Sequence, residues 1–184
     1  MWVRETKKRA TKTTKSDNKV YTLEVLILMG PITESFAKKN KVISRTIKIL
    51  GGQTLEDLHD AIFDAFDRED EHLYEFQIGG KGPMDPKAKR YVHSSLMDDP
   101  GSEGRPAGDV EYTTIGSLKL RVDDVFGYWF DFGDDWWHQI NVLSIEERAT
   151  RGKFPKVVKR VGKSPPQYVD WDEENEEDED EEEE

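Results

Sequence analysis

Three carboxylates and an imidazole, Asp131, Asp134, Asp135 and His138, crowd into one short run of this sequence, and two further histidines, His59 and His72, precede them. Carboxylate and imidazole together are the donor set of a divalent ion such as Zn or Mn. No consecutive spacing here matches His-Glu-x-x-His or a calcium-binding loop. The same residues also have ordinary structural uses. Asp134 or Asp135 can accept hairpin amides, and Asp131 can take a cross-strand donor. Both readings stand, and both predict that Asp131 and His138 lie close across a hairpin, near His59 or His72. The letters Asp-Phe-Gly at 131–133 also occur in protein kinases, but the chain is too short for a kinase and lacks its glycine and His-Arg-Asp loops.

The elements that must position these groups follow from periodicity. In Phe126–Ile145, alternating side chains flank a Gly133-Asp134-Asp135 corner, which reads as two antiparallel strands and a tight turn. Tyr128, Phe130 and Phe132 share one face and Trp129 and Asp131 the other. Trp136 and Trp137 then point to opposite faces, with at least one a core anchor. His59 lies on the apolar stripe 55, 59, 62, 66 of a helix that starts after Thr54, with Asp57 completing a capping box, and runs to about Phe66. There it reads as a core histidine or a ligand. His72 opens a strand to Ile78, as a turn contact or a ligand.

Val20–Met29 and Val42–Leu50 read as strands, each closed by glycine. Residues 79–109 form the longest irregular stretch, of a length that is functional or disordered. Val110–Leu120 holds a short strand and a helical turn, and Phe154–Val161 a last strand. The order strand, strand, helix, strand, long loop, C-terminal hairpin, strand predicts an α+β fold: a mostly antiparallel sheet with one main helix packed on a face. It also suits a β-grasp-like arrangement.

Charge divides the chain. Residues 1–19 carry a net +5, residues 170–184 hold thirteen acids and no base, and the rest is close to balance within a total of −12. These ends bury too little to fold alone. We expect a disordered basic arm over 1–19, a single domain over 20–169 and a disordered acidic tail over 170–184. The absence of cysteine excludes disulfides, thiolate metal sites and thiol nucleophiles, and fits a reducing compartment. No apolar run approaches the roughly 20 residues of a membrane span, so the expected location is cytoplasmic. Gly79-Gly80-Lys81-Gly82 lacks the ending of a phosphate loop.

Two blocks carry a resemblance. The first is Thr54-Leu55 with Leu58-His59, followed by His72-Leu73-Tyr74-Glu75-Phe76. The second is Tyr128-Trp129-Phe130-Asp131-Phe132-Gly133-Asp134-Asp135-Trp136-Trp137-His138. Over roughly residues 20–168 the chain resembles the plasmid Ri ORF-3-like family, found in bacteria and archaea and partly carried by plasmids and insertion elements. The resemblance implies an α+β domain and no established activity. Many relatives close with a cysteine-containing Pro-Pro segment; Pro165-Pro166 is present here without the cysteines, so no role of theirs transfers. A resolvase-like label on some relatives has no serine-recombinase signature to support it in this chain.

The function expected from these features is a binding or interaction module. The alternatives are a metal-assisted hydrolase using the hairpin carboxylates and histidines, and a nucleic-acid-associated accessory protein acting through the basic arm. Pro165-Pro166-Gln167-Tyr168 matches a Pro-Pro-x-Tyr ligand for a protein partner and equally a packed connection. Removal of residues 1–19 and 170–184 is expected to leave the melting temperature within a few degrees. A collapse on trimming, measured by thermal denaturation, would make one end part of the fold.

Overall fold

The computed structural model describes residues 17–99, 104–147 and 151–169. The basic arm through residue 16 and the acidic tail from 170 lie outside the described residues. The elements are β1 (Val20–Met29), α1 (Glu34–Lys39), β2 (Ser44–Leu50), α2 (Leu55–Ala65), β3 (Tyr74–Ile78), β4 (Lys89–Val92), β5 (Gly108–Asp109), β6 (Val125–Phe130), β7 (Trp136–Glu146) and β8 (Lys156–Val161). The strands make one eight-stranded sheet in the order β5-β4-β3-β6-β7-β1-β2-β8. Every neighbouring pair is antiparallel except β4 with β5. This is the expected α+β architecture, without the parallel central pair of a β-grasp.

The main helix forms where its capping chemistry places it. The Thr54 side chain accepts from the Asp57 N–H at 3.1 Å, and Asp57 Oδ2 accepts from the Thr54 N–H at 2.8 Å. This reciprocal pair satisfies two amides that the first turn leaves free. Leu55, Leu58, His59, Ile62 and Ala65 then form the buried stripe, which covers one sheet face built by Leu23, Val25, Ile47, Phe76, Tyr128 and Ile140. At the far end Ala65 O accepts from Arg45 Nε at 2.8 Å and from Arg160 Nη1, two cations where the helix dipole is negative. Arg45 is buried, and its terminal nitrogens donate to the carbonyls of Ser44, Val161 and Gly162 and to Ser164 Oγ. One guanidinium thus ties β2, β8 and α2 together.

The long stretch after β3 is less irregular than its composition implies. It contains β4, whose sequence KRYV buries only Val92, so strand formation there comes from pairing with β3 rather than from apolar alternation. The short helix α1 fills the connection between β1 and β2, with Thr33 as its cap. Ahead of β1, Asp17 O and Lys19 O accept from the N–H groups of Gly52 and Gly51 at 3.0 and 2.9 Å.

Trp136 and Trp137 point to opposite faces of β7. Trp136 is fully buried on the α2 side, and the chain at Gly30 passes so close that a Cβ there would sit 2.2 Å from its ring. Trp136→Ala is expected to lower stability by about 3–5 kcal/mol, measured by denaturant unfolding. A loss under about 1 kcal/mol, the size of an ordinary surface change, would contradict this packing.

Candidate functional site

The hairpin β6–β7 brings the predicted groups to two separate places. In the ladder Tyr128 opposes His138 and Phe130 opposes Trp136, so residues 131–135 form the connection. Asp131 adopts a left-handed φ of 56°. Its Oδ1 accepts from the N–H groups of Gly133 and Asp134 at 3.1 and 3.3 Å, the self-bonded turn that aspartate favours. This ends the alternation, and Phe132 swings onto the Trp129 ring at 4.2 Å instead of joining Tyr128 and Phe130.

Asp131 Oδ2 lies 3.3 Å from His72 Nε2, which also lies 3.0 Å from Tyr168 Oη. Among the described residues no hydrogen bond or ion pair joins Asp131 to His138, whose ring faces Phe66 and Tyr128. Pairing with Tyr128 carries His138 down the ladder and away from the loop. His59 is apart from both, with Nδ1 2.7 Å from Tyr128 Oη, Nε2 3.2 Å from Glu71 Oε2, and its ring flat on Tyr74 at 3.6 Å. Burial lowers its pKa to about 4, so the ring is neutral near pH 7. A carboxylate only accepts, which places the proton on Nε2 and leaves Nδ1 to accept from the tyrosine hydroxyl. Asp135 Oδ1 accepts from Trp129 Nε1 at 3.0 Å, and the Asp134 carboxylate joins none of these bonds. Among the described residues no three His, Asp or Glu side chains converge as a metal ion requires.

Arg68, in the turn after α2, carries a charge that acidic neighbours conceal in the sequence. Its guanidinium lies 3.6 Å from the Trp136 ring centroid, and burial lowers its pKa to about 10, which leaves it charged near pH 7. Arg68 Nη1 and Nη2, Trp136 Nε1 and His138 Nδ1 are buried with no hydrogen-bond partner. Burial first, and then the Arg68 charge, lower the His138 pKa to about 3.

The opposite face of the same hairpin holds an open cleft of about 590 Å³, within the range of small-ligand sites. Trp137 stacks on Trp129 at 4.7 Å with planes 8° apart, and Phe132 extends the row. On its floor the buried Glu75 accepts from Arg90 Nε at 2.8 Å and Gln77 Nε2 at 2.7 Å. Gln77 Oε1 in turn accepts from the Met84 N–H at 2.8 Å. Gly127 admits this loop, since a Cβ there would meet Pro83 Cα at 2.9 Å. Asp85 on the rim accepts from the N–H groups of Lys81 and Lys87, which lowers its pKa. Sequence reasoning missed Glu75 and Arg90. The available signal was a carboxylate in mid-strand between Tyr74 and Phe76, a position buried on both sides.

The family model described as plasmid pRiA4b ORF-3-like protein matches residues 33–175. A crystal structure of a protein of unknown function from Methanosarcina mazei Go1 is similar at 26% identity, covering 80% of this chain and 72% of that one, with a TM-score of 0.57. No curated protein matches the sequence. Among the described residues no helix is long and apolar enough to cross a membrane.

His59 and His138 are both lowered from 6.5, so the unfolded chain binds more protons below that value. Their contribution is present above pH 6.5 and is lost as pH falls toward 4 and 3, at up to about 1.4 kcal/mol per pH unit for each. His138→Phe is expected to gain stability relative to the native chain between pH 6.5 and 4. Parallel unfolding curves across that window check this, and an unchanged difference would show that His138 is protonated in the fold.

Proposed function

The chain belongs to the plasmid pRiA4b ORF-3-like protein family, and from that premise we propose a ligand-binding module whose site is the cleft beside Trp129 and whose ligand carries an organic cation. The observation that carries this reading is the row Phe132–Trp129–Trp137 beside an acidic rim. Aromatic faces attract ammonium and guanidinium groups through their quadrupole, most strongly when water is partly excluded. The cleft is lined by three carboxylates, Glu75, Asp85 and Asp99, against one cation, Arg90. With three acids against one base, the formal charge of the lining is negative. The backbone amides that bind Asp85 favour its ionised form. The unit that binds is taken as residues 17–169.

Titration with tetramethylammonium, choline and argininamide, followed by tryptophan fluorescence and calorimetry, tests the reading against neutral tert-butanol. At least one cation is expected to bind, and Trp129→Ala is expected to weaken it about tenfold, equivalent to about 1.4 kcal/mol, with the melting temperature as a check on folding. Equal response to the neutral probe, or no response to any cation, would remove the proposal.

A further inference from the structure

The end of the sheet farthest from β5 has a different character from the cleft. Between residues 151 and 163 the sequence RGKFPKVVKRVGK holds six bases and no acid. Its centre is β8, an edge strand that pairs only with β2. The register there is not uniform. Lys156 opposes Lys48 and Val157 opposes Ile47, but Lys159 opposes Thr46. Val158 is therefore an extra residue, a bulge, and it is exposed.

The bulge decides where the charges go. Three residues apart on a regular strand, Lys156 and Lys159 would face opposite sides. With Val158 inserted, both share the side of Lys48 and Thr46, the face away from α2, while Val157 stays with Ile47 on the core side. Lys48 is neutralised by Glu146 at 2.8 Å. Among the described residues none of the six bases at 151–163 forms an ion pair. Lys156 rests its ammonium over the Phe154 ring at 4.8 Å. The other face of the sheet is covered by α2, and this helix with the turn after it holds eight carboxylates between positions 56 and 71.

We infer that the β8 face, through Lys156 and Lys159 with Lys153 and Lys163 beyond the strand ends, is a docking surface for the phosphate backbone of nucleic acid. Unpaired bases in a row exchange condensed counterions for phosphates, and this needs charge and spacing but no pocket. The acids on the α2 side repel a polyanion there and leave the lysine face as the favoured approach. Edge protection, the other use of lysines and bulges, accounts for charges within the strand but not for Arg151, Lys153 and Lys163 outside it. An acidic polypeptide would dock by adding a strand, and the bulge interrupts the free ladder it would need. This surface shares no residue with the cleft.

Fluorescence anisotropy of the full chain with short labelled single-stranded RNA, single-stranded DNA and duplex DNA, between about 50 and 200 mM salt, tests the inference. Binding that weakens with salt is expected. Lys156→Glu with Lys159→Glu is expected to lose at least about tenfold in affinity and to reduce the log–log salt slope by about 1.4–1.8, two contacts' worth. Lys156→Gln with Lys159→Gln should give a smaller loss in the same direction and guards against misfolding of the charge reversal. Absence of binding at low salt, native affinity in both variants, or equal competition by polyglutamate would overturn it. Native affinity in both variants would assign any binding to the N-terminal arm.

Discussion

The hydrogen bond between Tyr128 and His59, 2.7 Å long and buried between the hairpin and α2, is the interaction on which the rest of the structure depends. It joins the centre of the sheet to the helix that covers it, and it works in one protonation state. A protonated imidazole would lose the acceptor at Nδ1 and place a charge among aromatic rings, an outcome that desolvation penalises. The flat contact with Tyr74 and the capping box at Thr54 fix the rotation of the helix so that His59 arrives there. At the other end Arg45 and Arg160 hold Ala65 O, so α2 is pinned at the N-terminus by acids, in the middle by a neutral histidine and at the C-terminus by cations.

Two arginines show how differently the interior treats one group. Arg45 is buried with all three guanidinium nitrogens donating to protein oxygens, so its desolvation is offset by charge-assisted bonds. Arg68 is buried with both terminal nitrogens unpartnered and only the Trp136 face for compensation. A cation in that state opposes stability, and after burial it is the second cause of the lowered His138 pKa. Both charges follow from sequence, but their opposite circumstances do not, because three of the five acceptors for Arg45 lie 116–119 residues away.

The pleat of the hairpin separates structure from the candidate site. On one face Tyr128, Phe130, Trp136 and His138 meet α2 and make core. On the other Trp129 and Trp137 stack over Glu75 and open toward solvent. The polar groups that stand out in the sequence, Asp131, His72 and His59, serve as turn, strand-end and helix contacts. The cleft is built from residues whose letters look like strand filling. A period-two pattern identifies which residues share a face, but it cannot say which face a helix will cover.

The sequence by itself determined the elements whose signals are local: β1 over Val20–Met29, α2 between its Thr54 cap and the acidic turn, the aromatic hairpin, and the family through the two motif blocks. These rest on contacts within a few residues, where spacing alone fixes geometry. Tertiary structure alone decided what depends on register between distant strands. Strand pairing set Tyr128 against His138 and so parted Asp131 from it. Pairing with β3 made a strand of KRYV in an apparently irregular stretch. A single bulged valine moved Lys156 and Lys159 to one side. In each case a shift of one residue costs nothing in local propensity and reverses the face on which a side chain stands, so only the assembled sheet could choose.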